Sequence, residues 1–333
     1  MSEIIDSDLK YIKSKIDIAR LHSKKILLIG SNGFLGKWFC DVFKSIDASF
    51  LCIDVQKDSM ISNVDYLSYN IINPLNLLDR YDFIINCAGI ASPEKYTKYP
   101  VETLDVSYIG TKNILDYANR VNSESVLLFS SSEVYGTPDS KFIPTKESYI
   151  GRLPTMSNRS CYDIGKQVLE TLVHVYYEKY GTPVKVVRPF NMYGPHMGLD
   201  DCRVMSNWIK NIMSGDSIVV YGDGMQTRTF CYAADGIAMM LGALLYGEDG
   251  ELYNVGNPTP ELTMLELADQ LYSALDLEKN YKIEEHPNYY PSDEPLRRCP
   301  NIDKIVKLTN INPEIGLRAG IRKMYDYYKG DTI

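Results

Sequence analysis

Lys25 opens an apolar run, Ile26-Leu27-Leu28-Ile29, that passes directly into Gly30-Ser31-Asn32-Gly33-Phe34-Leu35-Gly36, where a helical pattern begins. No other stretch restricts the fold as tightly. An unbroken apolar run suits a strand buried on both faces, as in a parallel sheet covered by helices. Gly30 and Gly33 allow backbone to approach a pyrophosphate, and Gly36 allows the helix to lie close to the strand. Free N–H groups at the helix start, flanked by Asn32, Phe34 and Leu35, complete a phosphate-binding turn. The next apolar strand, Phe50-Leu51-Cys52-Ile53, ends in Asp54, 21 residues beyond Gly33. A carboxylate there accepts from a ribose 2′-hydroxyl and repels a 2′-phosphate, so the expected cofactor is NAD rather than NADP. A strand-end Asp that only caps a turn is the competing reading.

The same alternation continues. Phe83-Ile84-Ile85-Asn86-Cys87-Ala88-Gly89 reads as a buried strand whose small residues Ala88 and Gly89 leave room for a cofactor ribose, and 101–121 reads as a helix. A strand at 126–129 runs into Ser130-Ser131-Ser132-Glu133-Val134-Tyr135-Gly136, a helix spans 161–180, and a strand at 184–187 leads to Arg188-Pro189-Phe190-Asn191-Met192-Tyr193-Gly194-Pro195. Four strand–helix alternations predict an α/β fold, a Rossmann-type doubly wound parallel sheet whose ligands collect at the carboxyl ends of the strands. Beyond residue 195 the regularity breaks into helical stretches near 203–214, 235–246 and 262–276, with turns such as Tyr221-Gly222-Asp223-Gly224. That change suits a smaller, partly interleaved α/β substrate-binding lobe. The expected division is an N-terminal helical extension over 1–23, a mainly dinucleotide-binding domain over 24–190, and a mainly substrate-binding lobe over 191–333 that returns in part to the first domain. In the extension, Ile5, Leu9, Ile12, Ile16 and Ala19 recur at helical spacing, so it is expected to pack on the body; an oligomer contact is the alternative.

Tyr162 and Lys166 stand four residues apart on the helix 161–180 and so share a face, where an ammonium can make a phenol a usable base. The spacing alone selects nothing, since Tyr11/Lys15, Tyr108/Lys112 and Tyr325/Lys329 repeat it among 26 tyrosines. Only Tyr162/Lys166 follows a serine-rich strand end and precedes the Asn191 segment.

Bulk properties narrow the field. A formal charge of −8 with no basic run gives no support to a nucleic-acid surface. Seven scattered cysteines without CxxC spacing argue against a disulfide framework and favour a reducing cytoplasm, and four histidines without HxxxH or HExxH spacing make no metal site. No apolar run approaches the ~20 residues that span a bilayer, so no membrane partner is expected.

Together these residues resemble the extended short-chain dehydrogenase/reductase superfamily, enzymes that modify nucleotide-activated sugars, and the resemblance runs from Lys24 to about Ile305. Within it the chain is most similar to the UDP-glucuronate decarboxylases. Ala91-Ser92-Pro93, Ser132-Glu133-Val134-Tyr135-Gly136, Arg159-Ser160-Cys161-Tyr162-Asp163, Gly165-Lys166, Arg203-Val204, Tyr221-Gly222-Asp223-Gly224 and Gln226-Thr227-Arg228 carry the likeness, and Arg298-Cys299-Pro300-Asn301-Ile302 falls where Arg-Lys-Pro-Asp-Ile is usual. The chain departs from the family pattern at Ile164, where Glu is usual, at Ser107, where Asn is usual, and at Ser131, where Thr is usual.

The resemblance implies oxidation of a nucleotide sugar at C4 with NAD. Tyr162 is the base, Lys166 its support and Ser131 a hydrogen-bond donor; a C5 carboxylate, β to the resulting ketone, then departs as CO₂ with help from Ser132, Glu133 and Arg298. Asn191, Arg203, Tyr221 and Arg228 are implied in binding the nucleotide, Tyr221 by stacking on uracil, with Arg298 as a further diphosphate candidate. A homodimer through the helices at 101–120 and 161–180 is implied too. Three other functions stay open: a 4,6-dehydratase, a 4-epimerase, and a non-catalytic NAD-binding regulatory or scaffold protein.

Overall fold

The computed structural model describes residues 2–286 and 295–330. Its centre is a seven-stranded, wholly parallel sheet of β1 (Lys25–Ile29), β2 (Ser49–Asp54), β3 (Asp65–Ser68), β4 (Phe83–Asn86), β5 (Ser125–Phe129), β6 (Val184–Pro189) and β7 (Leu252–Val255). The spatial order is β7-β6-β5-β4-β1-β2-β3, so the chain reverses direction across the sheet between β1 and β4. A crevice opens at the carboxyl ends of strands at such a reversal, which is where α/β sheets bind ligands. Strand periodicity divides the core. Ile26 and Leu28 of β1 face one apolar cluster with Trp38 and Phe39, while Leu27 and Ile29 face the other with Ile84 and Ile114.

Both layers of helices follow from this division. On one face lie α1 (Glu3–Lys15), α2 (Phe34–Lys44) and Ala233–Tyr246, a helix whose residues 233–245 are all buried. A helix apolar on every side must be covered on every side, and α1 supplies one cover with Ile5, Leu9 and Ile12. Polar anchors fix the seating. The Tyr11 hydroxyl donates to Asp235 Oδ1 at 2.5 Å, and Tyr232 donates to Asp8 Oδ2 at 2.6 Å. The extension therefore packs on the body, as its pattern predicts.

The other face carries the helix expected over 101–121, which is interrupted. Residues Pro100–Asp105 are α-helical, Val106–Gly110 make a π turn, and the α-helix resumes over Thr111–Val121. A π turn inserts one extra residue into the ladder and displaces the side chains beside it. Here it buries Ser107, whose hydroxyl donates to Thr103 O at 2.9 Å, against Gly165 of the helix Ser160–Tyr180. A Cβ at Gly165 would stand 3.0 Å from Ser107 Oγ. Neither β3 nor β7 is foreshadowed by the apolar runs, because β3 is short and half-exposed and β7 joins the edge after 62 residues of other structure following β6. Past residue 191 the chain forms helices Val204–Ser214 and Met264–Leu275 and three small sheets, in one of which Thr227–Arg228 pairs in parallel with Arg297–Arg298.

Candidate active site

The glycine turn closes on itself as tightly as its sequence requires. Gly30 has φ +81, and a Cβ there would lie 2.5 Å from the Ala88 nitrogen; at Gly36 a Cβ would lie 2.1 Å from the Gly30 carbonyl oxygen. Backbone from β1, α2 and the end of β4 thus meets without side chains between, and Gly33 caps α2, in which Phe34 and Leu35 are the first residues. Asn32 braces the turn. Its N–H donates to Asp54 Oδ2 at 3.0 Å, its side-chain amide donates to Asp58 O at 3.0 Å, and its carbonyl accepts from Met60 N at 2.8 Å. Asp54 therefore sits at the tip of β2 facing the turn, where a ribose diol attached to a turn-bound pyrophosphate falls. This cradle fits a dinucleotide carrying a free 2′-hydroxyl.

Across the reversal, the helix Ser160–Tyr180 brings Tyr162 and Lys166 beside the end of β5, and both are buried. The Lys166 ammonium lies 5.7 Å from the Tyr162 ring centroid and donates to Phe129 O at 2.7 Å. Gly89 comes close enough that a Cβ on it would meet Lys166 Nζ at 3.4 Å, so the lysine borders both the proposed base and the β4 end of the cofactor crevice. The electrostatics differ from the expected stabilised phenolate. Burial pushes Tyr162 up to about 12, partly offset by its hydrogen bond with Ser131, and burial pushes Lys166 down to about 8. Desolvation outweighs the opposing effects, the Ser131 hydrogen bond and Arg203 on Tyr162, and Glu170 and Cys87 on Lys166, because each group loses its hydration shell on entering the helix–sheet interface. The Tyr162 ring is also stacked on Tyr96, centroids 5.3 Å apart at 14°.

Ser131, Ser132 and Glu133 follow β5 directly. Ser131 caps the 3₁₀ turn Ser132–Tyr135 by accepting from Glu133 N at 3.2 Å, which aims the glutamate into the site. Glu133 is an anchored carboxylate. Its Oε2 accepts from Arg298 at 2.7 Å and from Arg159, while Arg159 Nε also donates to Asp163 Oδ2 at 3.3 Å. Burial pushes Asp163 up to about 7 against the pull of Arg159, and its Oδ1 has no hydrogen-bond partner among the described residues. Tyr96, Arg159 and Asp163 were not among the expected site residues. Arg159 and Asp163 are separated by four residues at a helix start, a spacing that signals an ion pair on one face, whereas nothing local marks Tyr96.

The nucleotide-binding candidates are dispersed around this centre. Arg203 is paired bidentately with Asp201 at 2.8 and 2.6 Å and has its guanidinium 5.8 Å from the Phe34 ring, linking the glycine turn to the start of the helix Val204–Ser214. Asn191 adopts φ +34 and donates to Thr229 O at 2.8 Å. Arg228 is buried and donates to Thr227 O and Leu296 O at 2.9 and 3.1 Å, in register with Arg298 on the adjoining strand. Tyr221 faces His286, ring centroids 6.2 Å apart at 30°. Of the expected residues, Tyr162, Lys166, Ser131, Glu133 and Arg298 are brought together around one point, and Tyr221 lies on a separate small sheet with Ile218–Tyr221 paired to Tyr281–Glu284. Among the described residues no group of three His, Cys, Asp or Glu side chains is placed to hold a metal, and no helix is long and apolar enough to cross a membrane.

A dinucleotide cradle facing a Tyr–Lys pair and a capping serine, on a doubly wound parallel sheet, defines an NAD-dependent enzyme of the extended short-chain dehydrogenase/reductase type. The chain belongs to the NAD dependent epimerase/dehydratase family, whose profile matches residues 26–256. It is 36% identical over 314 residues to UDP-glucuronic acid decarboxylase 1 of Arabidopsis thaliana, covering 92% of this chain and 70% of that one. Identity to UDP-glucuronic acid decarboxylase 1 of Danio rerio is 34% over 316 residues, covering 92% and 72%. In fold it is similar to the UDP-glucuronic acid 4-epimerase of Bacillus cereus, solved with UDP-glucuronic acid and NAD, with a TM-score of 0.79 and 24% identity over 92% of this chain and 99% of the other.

Proposed function

We propose that the protein oxidises UDP-glucuronate at C4 and decarboxylates the 4-ketone, yielding UDP-xylose or the UDP-4-keto-pentose. The observation that carries this reading is the convergence of Arg298 and Arg159 on Glu133 beside Tyr162. Guanidinium groups at the oxidation centre have the fork geometry that recognises the carboxylate of an acidic sugar. The relatives' names point the same way.

Gly30, Gly33, Gly36, Asn32 and Asp54 would hold NAD⁺, with Lys166 at the nicotinamide side of the crevice. Bound there, NAD⁺ supplies a two-electron acceptor for the alcohol carbon. The chain's own residues handle protons and charge. Tyr162 takes the C4 hydroxyl proton, and Ser131, already bonded to Tyr162, shares the same oxygen. Arg298 holds the C5 carboxylate. When the C5–carboxyl bond breaks, its electron pair moves to the C4 carbonyl, and Ser131 and Tyr162 stabilise the enolate oxygen. Reprotonation at C5 completes the loss of CO₂, after which the ketone is reduced or released.

Incubation with NAD⁺ and UDP-glucuronate, dTDP-glucose, GDP-mannose or UDP-glucose, followed by mass spectrometry, tests the proposal. Loss of the mass of CO₂ from UDP-glucuronate is expected; loss of water from a neutral hexose would replace it with the dehydratase reading.

Three subsidiary proposals accompany it. The portion 24–190 serves mainly the cofactor and 191–333 mainly the substrate. A homodimer forms through Val101, Leu104, Tyr108, Ile109 and Val175, large apolar side chains that stand 37–65% exposed on the helices at 100–121 and 160–180; light scattering of the purified protein at a monomer mass would refute it. The seven cysteines, all unpaired, suit a reducing cytoplasm, and fractionation of cells expressing the tagged protein checks that placement.

A further inference from the structure

The Asp54 carboxylate is held from two sides. Its Oδ2 accepts from the Asn32 N–H at 3.0 Å, and its Oδ1 accepts from the Gln56 N–H at 3.3 Å. The second bond depends on where Gln56 lies, in a segment over 55–60 that forms neither helix nor strand. The two large apolar side chains of this segment, Val55 and Met60, stand 66% and 62% exposed, so apolar burial does not seat it. Polar bonds to Asn32 and Tyr66 do. Asn32 is 6% exposed, and its side chain accepts from Met60 N at 2.8 Å while donating to Asp58 O at 3.0 Å and to Gln56 Oε1 at 3.2 Å. One amide, carbonyl on one side and NH₂ on the other, thus engages a backbone donor and a backbone acceptor two residues apart, much as a neighbouring strand would. Tyr66 of β3 adds a second tie, its hydroxyl donating to Gln56 O at 2.6 Å and accepting from Asn32 Nδ2 at 3.3 Å. A buried amide stripped of its partners costs more than one such bond contributes. The Asn32 amide and the segment therefore hold each other.

We infer that Asn32 is a positioning residue for cofactor selection: by fastening residues 56–60 to the glycine turn, its side chain fixes the Asp54 carboxylate and so sets the preference for a dinucleotide with a free 2′-hydroxyl. The inference rests on the cofactor and stands whichever nucleotide sugar is oxidised. A carboxylate discriminates between a hydroxyl and a phosphate only as firmly as it is held, because a side chain free to turn about χ1 and χ2 moves away from added negative charge. Turning Asp54 here breaks a bond at each oxygen. The two bonds have different origins. The one at Oδ2 comes from the backbone of the turn itself and does not depend on the side chain at position 32. The one at Oδ1 comes from Gln56 and lasts only while the segment stays docked, which is the work of the Asn32 amide and, from the other side, of Tyr66. Undocking the segment leaves Asp54 anchored at one oxygen, able to accept from a 2′-hydroxyl less often and to avoid a 2′-phosphate more easily.

Kd values of NAD⁺ and NADP⁺ are measured by calorimetric titration of the nucleotide-free protein for wild type, Asn32→Ala and Tyr66→Phe, with thermal unfolding of each and with hydrogen exchange over residues 55–62 read by mass spectrometry. Asn32→Ala keeps the N–H that donates to Asp54 and removes only the tie to the segment. It is expected to weaken NAD⁺ by about tenfold, as the loss of one or two hydrogen bonds of ordinary net strength does, and NADP⁺ by less than about threefold. Exchange over 55–62 should quicken, most of all at the Met60 amide. A general loosening of the turn would weaken both dinucleotides alike, so the fall in the NAD⁺-over-NADP⁺ preference separates positioning from a merely structural effect. Tyr66→Phe, which leaves the turn untouched, should move preference and exchange in the same direction by a smaller amount. An unchanged preference in folded Asn32→Ala overturns the inference. So does a changed preference with wild-type exchange over 55–62, since Asn32 would then act on the dinucleotide without the segment. Should Asn32→Ala fail to fold, wild-type preference and exchange in Tyr66→Phe overturn it. Wild type that binds NADP⁺ as tightly as NAD⁺ refutes the role given to Asp54 and this assignment with it.

Discussion

Lys166 carries a stability cost that titration should expose. Its ammonium is buried between the end of β5 and the Tyr162 ring, and burial pushes it from 10.5 down to about 8 in the folded protein. In the unfolded chain it returns to the ordinary lysine value. Between pH 8 and 10.5 the unfolded state therefore binds more protons, and stability contributed by this group rises with pH. Below pH 8 the lysine is charged in both states, so the full penalty applies; above 10.5 it is neutral in both and the penalty vanishes. A shift of this size corresponds to a penalty on the order of 3 kcal/mol at pH 7, of which roughly 2.5 kcal/mol should be recovered by pH 10. The perturbation is Lys166→Met, which keeps the stem's packing and removes the titrating group, leaving the Phe129 carbonyl to lose a donor. Urea unfolding of nucleotide-free wild type and variant at pH 7, 8, 9 and 10 isolates the effect, because every other titration is common to both. The variant's stability relative to wild type should fall by about 2–3 kcal/mol across that range, with a maximal slope near 1.4 kcal/mol per pH unit. A difference that stays flat with pH would show that Lys166 is not desolvated as the structure has it.

Other outcomes follow from the same geometry. Tyr162→Phe should retain NAD binding, by fluorescence titration, and lose about 10²- to 10⁴-fold in turnover, the range for a missing acid–base group; wild-type rates would eliminate it as the base. Gly36→Ala places a Cβ 2.1 Å from backbone oxygen that cannot rotate away, so despite a helix-propensity gain of about 1 kcal/mol it should destabilise by at least about 2 kcal/mol and weaken NAD. Calorimetric titration with an unchanged Kd would show that the turn relaxes more easily than its packing indicates. Asp8→Ala removes a fully buried carboxylate that accepts from Tyr232 and pairs with Lys323. Because Lys323 keeps 30% exposure, a loss of about 2–4 kcal/mol, nearer the lower end, is expected in chemical denaturation, and a smaller one would mean that the N-terminal helix is held by its apolar face alone.

The fold was legible where side-chain pattern and backbone requirement coincide. Ile26 to Ile29 can satisfy neither an exposed strand nor an amphipathic helix, and glycine at 30, 33 and 36 is demanded by contacts that a Cβ would occupy, so strand, turn and helix could be placed by residue type. Asp54 is read the same way, since its distance from the turn is set by one helix and one strand. The π turn at Val106–Gly110 escaped notice because Val101 to Val121 keeps an apolar helical pattern through it. β7 escaped for another reason. A strand recruited to a sheet edge from far along the chain has no local signature beyond a few apolar residues.

Side-chain chemistry could likewise be assigned as types but not as states. Tyr162 and Lys166 are identifiable as the reacting pair from their spacing and their neighbours in the chain. That burial leaves the phenol near 12 and the ammonium near 8 depends on how completely the helix Ser160–Tyr180 is covered by β5 and Tyr96, groups more than 30 residues away in sequence. Arg159 and Asp163 announce an ion pair by their separation, yet only the approach of Glu133 from the β5 end and Arg298 from the C-terminal third makes that pair part of a four-charge cluster. Local spacing dictates which groups can share a helix face or a turn. Desolvation and counterion choice arise when distant segments exclude water together, and those were decided by the tertiary structure.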